Sequence, residues 1–207
     1  MSSQEIHKQI NVASIVLAGG KGTRLFPLTE NHSKPAISFG GRYKLIDIPI
    51  SNSLNSNIRE IFVLGQYLTA ELQHHLSQTY QFDHFLPGRL DFLTPEELPN
   101  GERIWFEGTA DAIRKTLNHI LKVETDYFLI LSGDQLYNIN FQKMLKFAVE
   151  KDADLTIASL PVKKTEAKRL GILKINEDSF DTDFIEEPKD EIMLKNLKLP
   201  SKFYTTW

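Results

Sequence analysis

The chain has 207 residues, 41% hydrophobic, 10% aromatic and 25% charged, enough apolar material to bury a core in one domain or slightly more. A net charge of −3 leaves no broad basic field to attract nucleic acid. No cysteine is present, which excludes disulfides, thiolate catalysis and cysteine-ligated zinc from these residues.

Residues 1–10 are polar and expected to fray, with no apolar centre that would make a secretory signal. The longest apolar stretches, Val12–Ala18 and Tyr127–Leu131, are too short to cross a bilayer. The expectation is a cytoplasmic protein with no membrane partner and no nucleic-acid partner. Val12–Ala18, rich in valine and isoleucine, reads as a buried strand that runs into a turn at Gly19-Gly20. Ile46–Leu54 has helical spacing, with Ile46, Ile50 and Leu54 on one face, and Glu60–Leu64 reads as a second buried strand. Thr69–Leu76 reads as a short helix capped by Thr69, and Asp83–Gly101, with its prolines and glycines, as mostly loop.

Thr109–Val123 is the clearest amphipathic helix, with Ala110, Ile113, Leu117, Ile120 and Leu121 on its apolar stripe. Asp126–Leu131 is a third buried strand, closing on Ser132-Gly133-Asp134, and Asn140 is placed to cap a helix through Glu150. Leu155–Val162 reads as a fourth strand, followed by strands at Gly171–Ile175 and Asp183–Glu186. Strands alternate with helices, and the best strands are apolar throughout. The predicted fold is therefore α/β: an open, mostly parallel (mixed), Rossmann-like sheet with helices on both faces. No repeat, heptad or low-complexity segment interrupts it. Residues 11–207 are expected to form one domain behind the flexible residues 1–10.

The segment L-A-G-G-K-G-T-R-L, Leu17–Leu25, begins where the first strand ends. Gly19, Gly20 and Gly22 allow positive φ and close approach of backbone N–H groups to a ligand, and Lys21 and Arg24 add positive charge suited to phosphate. The spacing is not that of a P-loop. Leu25 stands where a dinucleotide fingerprint needs its third glycine, which argues against a dinucleotide-dependent oxidoreductase. No Ser-His-Asp or Cys-His constellation is visible. His74 and His75 are adjacent on a helix and point apart, so they read as structural or solvated.

Leu17–Leu25 followed by Lys34-Pro35 resembles the signature of the sugar-1-phosphate nucleotidyltransferases. The segment F-G-G-R-Y-K-L-I-D-I-P-I-S-N-S, Phe39–Ser53, is similar to the ADP-glucose-forming branch, the glucose-1-phosphate adenylyltransferases. Gln66-Tyr67, G-T-A-D-A at Gly108–Ala112 and L-S-G-D at Leu131–Asp134 follow in that family's order, so the resemblance runs from about Val12 to Lys189.

The resemblance implies adenylyl transfer from ATP to glucose 1-phosphate, giving ADP-glucose and pyrophosphate for glycogen or starch synthesis. It implies a nucleotide held by Leu17, Ala18, Gly19, Gly20, Gly22, Gln66, Gly108 and Thr109. Arg24 and Lys34 would grip phosphates, and Asp134 would act catalytically as the ligand of Mg²⁺. The sugar phosphate would meet Phe106, Gly171, Glu186 and Glu187. Assembly with like or related subunits is compatible with the resemblance.

Two positions depart from the family's pattern. Trp105-Phe106 replaces a Trp-Tyr pair, removing a hydroxyl. Glu187, in F-I-E-E-P-K-D, stands at the position of a lysine expected to face the sugar phosphate, with Lys189 two residues on. The resemblance also implies a second metal-binding aspartate and a hexapeptide-repeat β-helix beyond Trp207, so the catalytic domain is expected to be incomplete here. These departures support an alternative, a catalytically impaired paralogue that binds nucleotide and regulates or joins an active subunit.

Overall fold

The computed structural model describes residues 10–206 except 21, 84, 86, 98, 189–196 and 198–203. The chain divides into two compact units, Met1–Phe141 and Gln142–Trp207.

The first unit is built on a four-stranded, all-parallel sheet. Its strands are β1 (Val12–Leu17), β4 (Glu60–Leu64), β5 (Arg89–Leu93) and β6 (Tyr127–Ser132), in the order β5-β4-β1-β6. A short hairpin of β2 (Ser38–Phe39) and β3 (Tyr43–Lys44) stands apart from it. Helices α1 (Asp47–Asn55), α2 (Thr69–Thr79) and α3 (Thr109–Ile120) connect the strands.

The apolar runs of β1 and β4 follow from coverage on both faces, because successive side chains alternate between two cores. Val16, Ile61 and Val63 enter one cluster with Ile50 of α1 and Leu72 and Leu76 of α2. Ala13, Ile15, Phe62 and Leu64 enter the other with Ala112 and Ile120 of α3. Ile15, Phe62 and Leu72 are all fully buried, and burying each such side chain stabilises the fold by about 1.5–3 kcal/mol. The buried Ser14 is satisfied by Ser53, whose hydroxyl lies 2.8 Å away and in turn donates to Pro49 O.

Three sequence expectations in this unit change. The stretch read as loop contains β5, because Arg89 and Asp91 interrupt its apolar pattern while Leu90 and Phe92 pack on the core. Thr69 is not a cap. Leu68 takes the N-cap position in a left-handed conformation, φ 47°, and Thr69 begins the helix. Gly108, in the extended conformation, likewise takes the N-cap position of α3, and Thr109 is its first residue. The stripe of α3 is also rotated. Ala112, Thr116 and Ile120 are buried at i, i+4 spacing, whereas Ala110, Leu117 and Leu121 are exposed. Thr116 is compatible with burial because its hydroxyl donates to Ala112 O.

The second unit contains most of α4 (Phe141–Glu150), then β7 (Leu160–Val162), α5 (Lys164–Ala167), β8 (Gly171–Ile175), β9 (Asp181–Glu186) and β10 (Tyr204–Thr206). Its sheet is antiparallel, ordered β7-β10-β8-β9, over a small core of Ala167, Ile172 and Leu197. The strand expected from Leu155 shortens to β7. Leu155 is exposed and lies outside any strand, so β propensity there is not matched by a pairing partner. Among the described residues, no helix is long and apolar enough to cross a membrane.

Candidate functional site

The strand order places β1 between β4 and β6, and the connections through α1 and α3 pack on opposite faces of the sheet. In open α/β sheets, ligands bind at the carboxyl ends of strands beside such a switch point. Leu17 is in register with Leu64 on one side and Ser132 on the other. The strands' hydrogen bonding continues past their ends, from Ala18 N to Leu64 O at 2.7 Å and from Gly133 N to Leu17 O at 2.9 Å. The loops after β1, β4 and β6 therefore leave from one edge.

Gly133 owes its identity to this convergence. A Cβ there would come within 2.9 Å of both Leu17 O and the Ile46 side chain. Gly22 has φ +65°, and a Cβ there would meet Thr29 Cγ2 at 2.8 Å and Lys34 Cβ at 3.0 Å. The Thr29 hydroxyl also donates to Gly22 O at 2.8 Å. The turn is thus folded tightly back on the short helix Lys34–Ala36, whose Pro35 and Ala36 are buried. That packing brings Lys34 back toward the sheet edge.

Lys34 Nζ pairs with Asp134 Oδ2 at 2.7 Å, and the Ser132 hydroxyl donates to Asp134 Oδ1 at 2.5 Å. Burial works against the charged carboxylate, but the Lys34 and Ser132 hydrogen bonds outweigh it and hold the Asp134 carboxyl below the usual range. The side chains of Lys34 and Asp134 retain 31% and 24% of their exposure, so the pair can still be reached from solvent.

The loop after β4 supplies Gln66. Its carboxamide accepts from Phe106 N at 2.9 Å and donates to Phe106 O at 3.3 Å, replacing a strand-like backbone partner. Its side chain also lies against Gly19, where a Cβ would be 3.7 Å from Gln66 Cγ. Tyr67 stacks on Trp105 with ring centroids 5.6 Å apart and planes 12° from parallel. Lys115 donates to Trp105 O at 2.8 Å and pairs with Asp111. Asp111 accepts from Glu107 N at 3.0 Å. That amide, then Lys115, keeps its carboxyl well below the ordinary carboxylate value. The segment 105–109 is thereby tied to both Gln66 and the first turn of α3.

The structure thus gathers Leu17, Ala18, Gly19, Gly22, Lys34, Gln66 and Asp134 around one sheet edge, with Gly108 and Thr109 opening α3 beyond the Gln66-bound Phe106. Arg24 is exposed on the short turn Thr23–Leu25, Gly20 has open space around its Cα, and Lys21 lies outside the described residues. Phe106 is 7% exposed, and its side chain belongs to the core cluster of Ile15, Phe62 and Leu64.

Gly171, Glu186 and Glu187 belong to the second unit. Gly171 pairs with Glu186 across β8 and β9, and Glu187 is exposed, with φ +42° and its N–H on Leu170 O. Lys189 lies outside the described residues. Thr29, Trp105 and Lys115 were not anticipated, because no residue pattern links them to the partners they bond or stack on. Ser132, two residues before Asp134, carried a local signal.

Among the described residues, no group of three or more His, Cys, Asp or Glu could cage a metal. One ionised carboxylate at a strand end fits a Mg²⁺ whose remaining ligands are phosphate oxygens and water.

A parallel sheet with a glycine turn, an amide clamp and a lysine–aspartate pair at its carboxyl edge defines a nucleotide-handling α/β protein. The nucleotidyl transferase family model matches residues 13–203, and the chain belongs to that family. Its reaction class is nucleotidyl transfer involving a sugar phosphate.

Proposed function

We propose that the chain is a glucose-1-phosphate adenylyltransferase, which transfers the adenylyl group of ATP to α-D-glucose 1-phosphate in glycogen or starch synthesis. The observation that carries this reading is the glycine turn and the Lys34–Asp134 pair at the same sheet edge. The resemblance of Phe39–Ser53 to the ADP-glucose-forming branch supports ATP as the nucleotide.

In this reading an oxygen of the sugar phosphate attacks the α-phosphorus of ATP in line. The new P–O bond forms as the bond to the bridging oxygen breaks, and pyrophosphate leaves with the electron pair. The nucleophile is already an anion near neutral pH, since a phosphate monoester's second pKa is about 6, so no strong general base is needed. Positioning and neutralisation of charge do most of the work. Backbone N–H groups of Leu17–Gly22 and the N-terminus of α3 at Gly108 and Thr109 hold the nucleotide. Lys34 and Arg24 neutralise the phosphates. Asp134 would hold Mg²⁺, which when bound supplies further neutralisation and keeps the phosphates in register.

Product analysis by anion-exchange chromatography tests this, with glucose 1-phosphate and each nucleoside triphosphate in turn. ADP-glucose from ATP is the expected product. Faster formation of UDP-glucose or dTDP-glucose would overturn the assignment. A second reading, a nucleotide-binding subunit without turnover of its own, is favoured by the exposed carboxylate of Glu187 at the family's lysine position. It predicts ATP binding without product by the chain alone, and a changed rate when the chain is mixed with an active relative.

A further inference from the structure

Both oxygens of Asp134 are engaged within the chain, Oδ2 by the Lys34 ammonium and Oδ1 by the Ser132 hydroxyl. The Ser132 bond is compatible with a metal, because a carboxylate offers about four lone-pair positions. The Lys34 bond is not neutral in the same way. A divalent cation on Asp134 would stand within a few ångströms of an ammonium already 2.7 Å from the same oxygen, and the two charges repel strongly in a partly desolvated site.

Lys34 has little freedom to retreat at its base. It lies on the short helix Lys34–Ala36, with its Cβ close beneath Gly22 and the neighbouring Pro35 and Ala36 buried. Only the long stem beyond Cβ is free to swing.

We propose that Lys34 and Asp134 form a mutual latch: without nucleotide the lysine occupies the carboxylate and excludes the metal, and nucleotide phosphates draw the lysine away and open Asp134 to the cation. This deepens the proposed function, on which it rests. The exchange is nearly balanced for Lys34, which trades one charge-assisted bond to an anion for another. By linkage, whatever nucleotide does for metal affinity, metal does equally for nucleotide affinity. A site so arranged stays closed to free Mg²⁺ and loads metal and nucleotide together.

The test uses the full chain, with Mn²⁺ alone as the metal probe, read by electron paramagnetic resonance of the free ion, and ATP in EDTA, read by calorimetry. Lys34→Met is expected to tighten Mn²⁺ binding about tenfold, the size of one charge-assisted bond. The exposed Lys122 serves as control, and Lys122→Met should change it less than about twofold, because distant surface charges are screened. Lys34→Gln, which keeps part of the stem and a donor without the charge, should behave as Lys34→Met does and covers the case in which methionine disturbs the fold.

Reciprocally, Asp134→Asn should tighten metal-free ATP severalfold, and most of that gain should vanish when Lys34→Met is already present. Simple removal of a repulsive carboxylate would instead give the same gain in both backgrounds and would overturn the latch. So would Mn²⁺ affinity in both Lys34 variants no higher than in the wild type, while the proposed function would survive provided that the wild-type chain binds ATP. A folded wild-type chain that binds neither ATP nor Mn²⁺ with ATP would overturn both.

Discussion

Asp47 is the polar centre of the first unit, and Asp47→Asn tests whether it is structural. Asp47 is 5% exposed. It accepts from Lys44 N at 2.8 Å, Tyr80 Oη at 2.8 Å and His75 Nε2 at 2.8 and 3.0 Å. These donors come from the β2–β3 hairpin and from the middle and end of α2, so one side chain of α1 ties both segments to its own helix. Lys44 extends the arrangement, bonding Ala36 O and pairing with Glu71.

Asparagine has the same shape but one acceptor oxygen instead of two. The amide oxygen keeps Lys44 N–H when the NH₂ turns toward Tyr80, whose hydroxyl must then rotate to accept rather than donate. A hydrogen bond to a charged group is worth about 1.5–3 kcal/mol against about 0.5–1.5 kcal/mol for a neutral one. The bonds from Lys44, Tyr80 and His75 all lose the charge, so the expected loss after relaxation is about 1–3 kcal/mol. Tyr80→Phe removes only one bond and should cost about 1–2 kcal/mol. The double variant should lose less than the sum, because the two share a bond. Urea unfolding followed through Trp105 fluorescence, with Trp207→Phe to silence the other tryptophan, measures this. A loss below about 0.5 kcal/mol for Asp47→Asn, within the range of ordinary surface changes, would refute the reasoning.

Gly22→Ala should destabilise the first unit by about 1–3 kcal/mol and weaken ATP binding, because a side chain at φ +65° is strained and the new methyl would press on Thr29 and Lys34. Gly20→Ala, with nothing within 4 Å, is the matched control, and equal effects of the two on stability would contradict the account. Alkaline titration read by tyrosinate absorbance should show two of the six tyrosines ionising late. Burial pushes Tyr137 up to about 12; burial and the Asp47 charge raise Tyr80 as well. Both are raised in the folded state, so their contribution to stability is full below about pH 10 and is lost as pH climbs toward the folded values. Six tyrosines titrating together would refute this. Glu187→Lys should tighten glucose 1-phosphate about tenfold by calorimetry and leave ATP within about twofold; an unchanged sugar-phosphate affinity would mean that the charge at position 187 does not meet the sugar phosphate.

Much of the first unit was legible because its signals are local. The continuous apolar runs at β1 and β4 imply coverage on both faces, and Ile50, Leu72 and Ile120 supply that coverage. Where a signal depended on distant partners, it failed. Leu68 at φ 47° starts α2 although Thr69 has the better capping side chain. The α3 stripe turned because Thr116 buries its hydroxyl against its own helix, which leaves Leu117 and Leu121 outside. The edge strand β5 was hidden because Arg89 and Asp91 break its apolar pattern and pair with one another.

The candidate site divides the same way. The glycines, Lys34 and Asp134 could be picked out by residue type and order, but their relation could not. One hundred residues separate Lys34 from Asp134, and only the parallel register of Leu17 with Ser132 brings their loops to one edge. Phe106 shows the converse. By type it is a tyrosine without its hydroxyl and looks like a lost ligand, yet its ring fills the core and its backbone does the bonding, to Gln66. A substitution at a motif position can therefore leave the site's polar framework intact when the motif residue acts through its main chain. Glu187 is the opposite case, an exposed charge whose effect depends on the side chain alone. For that reason the charge at position 187, rather than the ring at position 106, is the better test of whether this chain handles a sugar phosphate.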